Sequence, residues 1–137
     1  IELLSILSQP VQRNGLVFLG QLRDAALADC VGRARMSVAP LRFGAGVKRK
    51  VVASLAAGLP VVSTAVGLDG LSPPSGNALA LVAEDAAAFA AAILCLAADD
   101  GLWRRLAAEG RNFCSTHYSV AAYDAGLRRM LSAVSLA

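Results

Sequence analysis

The chain has 137 residues, one domain's worth, and a chain of this length buries about two thirds of the surface its unfolded form exposes. A composition that is 56% apolar and only 17% charged excludes intrinsic disorder. The formal charge of +3 is modest and aromatic residues are only 5% of the chain, which argues against a nucleic-acid partner.

In chain order, the start Ile1-Glu2-Leu3-Leu4 has neither a basic segment nor a small-residue cleavage site, so no secretory signal is expected. Glu2 to Ser8 has the pattern of a helix tail stopped near Pro10. Leu16 to Leu19 is a continuous apolar run ended by Gly20, the pattern of a strand buried on both faces. Asp24 is placed to cap a helix in which Leu27, Val31 and Ala34 share one side. Met36 to Ala39 predicts a second strand, closed by Pro40, and a loop from Leu41 to Gly46 follows. The next helix starts near Val47, with Val47, Val51 and Leu55 one turn apart on its inward side. Gly58 stops it and Pro60 prevents its continuation. Val61 to Ser63 is the third strand, and Ala78 to Val82 the fourth.

The longest apolar run, Ala86 to Ala98, falls short of the roughly 20 residues of a membrane span and predicts a buried helix. Glu84 and Asp85 before it, and Asp99 and Asp100 after it, are acids at helix starts and read as caps. Leu102, Trp103 and Leu106 mark another helix, and Ser119 caps a last one striped by Val120, Tyr123, Leu127, Met130, Leu131 and Val134. Phe89, Trp103 and Tyr123 therefore read as core residues, and the single histidine, His117, as a helix-end residue. Cys30, Cys95 and Cys114 fit neither a disulfide framework nor a zinc site. They read as small buried hydrophobes in a reducing compartment.

Strands alternating with helices through short connections imply parallel pairing by right-handed crossovers. The fold class is α/β, a Rossmann-like doubly wound parallel sheet of about four strands, with residues 1–137 forming one domain. Ligands of such sheets sit at the carboxyl ends of the strands, which directs attention to the loops after Leu19, Ala39 and Ser63.

The loop after Ala39 breaks a local rule. A helix N-terminus is already electropositive, and cations there cost about 0.3–1 kcal/mol each. Lys48, Arg49 and Lys50 nevertheless open the helix without an acid among them, behind Gly44 and Gly46. Free N–H groups, a helix dipole and ammonium groups together call for an anion, and phosphate is the natural one. Lys48 is nearest the helix mouth, Lys50 is second, and Arg49 faces solvent. Neither a Walker loop nor a dinucleotide fingerprint is present.

The succession Val17-Phe18-Leu19-Gly20, Val38 to Val51, Ala56-Ala57-Gly58-Leu59-Pro60-Val61-Val62-Ser63-Thr64 and Val66-Gly67-Leu68-Asp69-Gly70-Leu71 resembles the C-terminal, donor-binding domain of group 1 glycosyltransferases of the GT-B fold. Tyr118-Ser119 is similar to the dipeptide that opens that family's terminal helix. The resemblance implies a retaining transfer of a sugar from a nucleoside diphosphate donor to a saccharide or lipid-linked acceptor, with no cofactor or bound metal. It implies a cytoplasmic enzyme, peripheral at the inner membrane face when full length. Gly44, Ala45, Gly46 and Val47 match the positions that receive the diphosphate and sugar, next to Lys48 and Lys50, which the basic helix start already marks as diphosphate candidates. Gly20, Gln21 and Leu22 match the base side. Arg42, Ser63, Thr64 and Asp69 are lesser candidates for donor contact.

Two departures stand out. The family commonly has glutamates where this chain has Ala45 and Ala53, the second of which holds the ribose hydroxyls. The chain also lacks the domain's first two strand–helix units, so the Leu16–Leu19 and Met36–Ala39 strands are expected apart, with exposed edges open to self-association. The resemblance thus describes the donor-binding part of a two-domain enzyme, inactive alone. A non-catalytic binding module, or part of a sugar-nucleotide epimerase, are the alternatives. No catalytic residue can be named from the sequence.

Overall fold

The computed structural model describes residues 15–73 and 78–134, and the backbone of residues 11–13. In chain order the elements are β1 (Val11–Arg13), β2 (Leu16–Phe18), α1 (Asp24–Arg33), β3 (Ser37–Ala39), α2 (Arg49–Ala56), β4 (Val61–Ser63), α3 (Ala65–Leu68), β5 (Ala80–Val82), α4 (Ala86–Ala98), α5 (Asp100–His117) and α6 (Val120–Val134). The helix tail expected at Glu2–Ser8 lies outside the described residues. The chain divides into two units, Ile1–Arg33 and Ala34–Ala137.

In the first unit, β1 and β2 pair antiparallel, with Arg13 opposite Leu16. This corrects the expectation that the Leu16–Leu19 strand is buried on both faces in a parallel sheet: Leu16 is 62% exposed, and Val17, Phe18 and Leu19 are exposed too. A continuous apolar run does not name its partner. The sequence between the strands, Asn14-Gly15, is the dipeptide most favoured in two-residue hairpin loops, and Gly15 takes the positive φ such a loop requires. Asp24 is the first helical residue of α1, not its cap, and α1 buries no side chain completely.

The second unit is built on a parallel sheet in the order β3-β4-β5, in which Val38 pairs with Val62 and Val62 with Leu81. Strand alternation sends neighbouring valines of β4 to opposite faces. Val61 joins Ala39, Val51, Leu55, Ala80, Phe113 and Cys114 in one core cluster, which brings α2 and the second half of α5 onto that face. Val62 joins Leu96 and Leu106, with Phe89, Ile93 and Trp103 packed against them, which brings α4 and the first half of α5 onto the other. This is the α/β layering expected, with three parallel strands in this sheet where about four were anticipated.

Helix α2 is shorter than expected. It opens at Arg49, so Val47 precedes it and is 42% exposed instead of facing inward, while Val51 and Leu55 are buried. It ends as anticipated at Gly58, whose positive φ lets the Leu59 N–H donate to the Ser54 carbonyl at 2.9 Å. A neighbour contributes to its packing: Gly110 of α5 lets Leu55 approach so closely that a Cβ there would stand 3.0 Å from Leu55 Cδ2.

The later helices occur where expected but bury less. In α4 only Leu96 is fully buried; Phe89 and Ile93 are half-buried, Leu94 is exposed, and most of the other positions are alanine, which forms helix without needing cover. Cys95 is accordingly exposed and Cys30 half-buried; among the three cysteines only Cys114 is buried, and burial raises its thiol pKa. No residue of α6 is fully buried, and Tyr123, expected in the core, is 74% exposed. Asp85 and Asp99 cap α4 and α5, accepting from the Ala88 and Leu102 amides at 2.8 Å. Glu84 does not cap the helix that follows it; its carboxylate accepts from the Ala65 N–H at 2.7 Å, at the start of α3. Asp100 pairs with Arg35, whose backbone carbonyl accepts from Trp103 Nε1 and whose guanidinium also donates to the Ala97 carbonyl.

Candidate functional site

The loop after β3 is held at its start and at its end. At the start, Thr64 Oγ1 donates to the Leu41 carbonyl at 2.6 Å. At the end, Gly70 lies against Val47, where an added Cβ would meet Val47 Cγ2 at 2.9 Å and Val47 N at 3.1 Å. Between these anchors Gly44 and Gly46 adopt φ of +130° and +68°, a backbone that side chains rarely tolerate. Thr64 before α3 and Gly70 after it thus hold the two ends of the glycine loop.

Lys48 is the N-cap of α2, with extended backbone and no side-chain cap. Val51 and Val52 amides donate to its carbonyl, whereas the amides of Arg49 and Lys50 find no acceptor among the described residues. Arg42, Arg49 and Lys50 are exposed and have no acidic partner among the described residues. Lys48 differs from them. Its side chain is only 12% exposed, it donates to the Gly46 carbonyl, and its Nζ lies 3.9 Å from Asp69 Oδ2. The same carboxylate oxygen accepts from the Gly46 N–H at 2.9 Å. Asp69 is therefore turned onto the glycine loop from 23 residues away in sequence.

Beside this loop opens a cleft of about 720 Å³ between α2, the end of α5 and the start of α6, lined by Val47, Arg49, Ala53, Arg111, Tyr118 and Ser119 among others. Arg49 and Ala53 are one turn apart, so both face it. Arg49, exposed as expected, is also the cation of the first turn that lines this cleft. Arg111 sits over Gly58, where an added Cβ would meet its Nη1 at 1.9 Å. That places one guanidinium at the electronegative C-terminus of α2 and the other at its start. The residues of α5 were missed from sequence because nothing in their helical pattern marks them as lining a cleft; only the packing of α5 on α2 does.

A smaller cavity of about 390 Å³ lies at the carboxyl ends of the strands, lined by Arg42, Thr64, Glu84 and Phe89 among others. The hydroxyls near it are engaged. Ser63 is fully buried and donates to the Ala39 and Thr64 carbonyls, while Thr64 accepts from the Gly67 N–H and donates to Leu41. Gly20, Gln21 and Leu22 form the loop after β2 in the first unit, with Gly20 at φ +66°. His117 is the last residue of α5 and its ring lies 4.8 Å from that of Phe113. Among the described residues no three of His, Cys, Asp and Glu come together as metal ligands, and no single helix is long and apolar enough to cross a membrane.

The arrangement is a basic helix start beside an open cleft, with the Lys48–Asp69 ion pair at the mouth of the helix. The sequence pattern of the family described as Glycosyl transferases group 1 matches residues 2–99, a span that includes the glycine loop, α2 and the β4–α3 connection. No curated protein matches the chain.

Proposed function

The chain belongs to the group 1 glycosyltransferases, and we propose from that premise that it forms the donor-binding part of a retaining enzyme. The donor is a nucleoside diphosphate sugar, and the acceptor is a saccharide or a lipid-linked saccharide. The reading rests on one observation above others: Lys48, Arg49 and Lys50 open α2 with no acid in its first turn and with the amides of Arg49 and Lys50 unengaged.

In such a transfer the bond between the anomeric carbon and the diphosphate breaks, and negative charge grows on the departing nucleotide. Preorganised N–H groups and cations stabilise that charge most when they are fixed before the reaction begins. The Arg49 and Lys50 amides, the Lys50 ammonium and the Gly44–Val47 backbone are the groups this reading assigns to the diphosphate. Ala53 and Arg49 then line the nucleoside side. The reading places no metal in this role and places the enzyme in the cytoplasm.

Titration calorimetry with UDP and GDP tests it. Binding is expected, unchanged by a metal chelator, and Lys50→Glu is expected to weaken it about tenfold, or ~1.4 kcal/mol. Absence of binding, or binding indifferent to charge reversal at both Lys48 and Lys50, overturns the reading.

A second reading, a nucleotide-binding module without transfer activity, draws support from Ala53, whose methyl group on the cleft wall accepts no hydrogen bond. Nucleotide binding without consumption of any nucleotide sugar in the presence of acceptors would favour it. Strands β3 and β5 are the edges of their sheet among the described residues, and Val38 of β3 is exposed, which supports self-association by edge pairing. Sedimentation that is independent of loading concentration would count against that.

A further inference from the structure

We propose that Asp69 is an intramolecular anion occupying the donors of the glycine loop, so that a diphosphate enters by replacing a carboxylate. The proposal rests on the diphosphate reading above and adds a regulatory step to it. A phosphate at the mouth of α2 needs N–H groups and an ammonium directed at one point. Gly46 N–H and Lys48 Nζ are so directed, and what they meet is Asp69 Oδ2, at 2.9 and 3.9 Å. Two anions cannot share these donors at that range without strong repulsion.

The geometry also gives the carboxylate a way out. Asp69 is the C-cap of the four-residue helix α3, and its side chain is 54% exposed. The backbone on either side is fixed, Gly67 being buried against Ser63 and Gly70 packed on Val47. Rotation of one exposed side chain therefore frees the donors while the loop keeps its shape. Lys48, mostly buried and tied to the Gly46 carbonyl, stays in place to receive the ligand.

A carboxylate that merely shapes the loop makes the opposite prediction, which allows a clean test. Asp69→Asn keeps a carbonyl acceptor for the Gly46 N–H and removes the charge. Calorimetry of the 137-residue chain with UDP and with inorganic pyrophosphate is expected to show both bound about tenfold more tightly by the variant, equivalent to ~1.4 kcal/mol. Unchanged or weaker binding by Asp69→Asn, while the original chain binds, overturns the displacement idea and leaves the diphosphate reading standing. No binding by either protein removes both. A measurement on the unaltered chain serves if the variant does not fold. Titration with pyrophosphate should move the Gly46 amide resonance and the Asp69 carboxyl resonance in step, and a carboxyl signal that stays fixed through saturation overturns the proposal.

Discussion

Ala53 and Lys48 show how far a single side chain shapes this site. A carboxylate at position 53 would face a cleft whose lining includes Arg49, one turn away, whereas the methyl group leaves that wall without an acceptor. Charged hydrogen bonds are typically worth about 1.5–3 kcal/mol. Ala53→Glu is therefore expected to favour UDP over inorganic pyrophosphate, which has no ribose, and parallel titrations of the two ligands measure the ratio. Because Ala53 is exposed, the same substitution should change stability by no more than about 0.5 kcal/mol. Lys48 has the reverse character. Its residue type was legible as part of a basic helix start, but its engagement with Gly46 and Asp69 was not, since the carboxylate partner comes from a different loop.

Among the elements, α2 and α6 mark the extremes of what holds this chain together. Leu55 of α2 is 1% exposed and packed against Gly110 of α5. Leu55→Ala should cost about 2–5 kcal/mol, because the lost contacts leave a cavity that the sheet cannot close. Met130→Ala in α6, at an exposed position, should stay within about 0.5 kcal/mol. Urea melts of the two variants measure the contrast. The connection into β3 depends instead on Arg35, which joins the ends of α4 and α5 through the Ala97 carbonyl and the Asp100 carboxylate. Its hydrogen bond, and then its charge, lower the Asp100 pKa below the ordinary aspartate value of about 3.9. A depressed folded-state pKa contributes stability at neutral pH that is lost as pH falls through the folded value. The stability difference between the chain and Asp100→Asn should thus be constant above the unfolded pKa and shrink below it, as melts across the acid range would show.

For the whole molecule the uneven distribution of buried side chains has a dynamic consequence. The described part of the first unit contains no fully buried side chain, while the second encloses both core clusters. Local opening is easiest where few apolar contacts are lost. Amides of β2 and α1 are expected to exchange with solvent well before those of β4, α2 and α5. Protection of α1 equal to that of α2 would contradict this account.

The sequence by itself determined the parallel β3-β4-β5 strands, helix α2 and the three helices after the sheet, the helix stop at Gly58, the caps at Asp85 and Asp99, and the basic start of α2. These follow from local properties: a period of two or 3.6 residues, a positive φ, a carboxylate beside free amides. Tertiary structure alone decided that α6 and Tyr123 lie exposed, that Glu84 serves α3, and that Asp69 meets Gly46. Each depends on which distant group comes to lie alongside, and apolar periodicity carries no address for a partner. The candidate site draws on both: its positive charge is written in consecutive residues, and the carboxylate that answers it arrives only through the packing of the next loop.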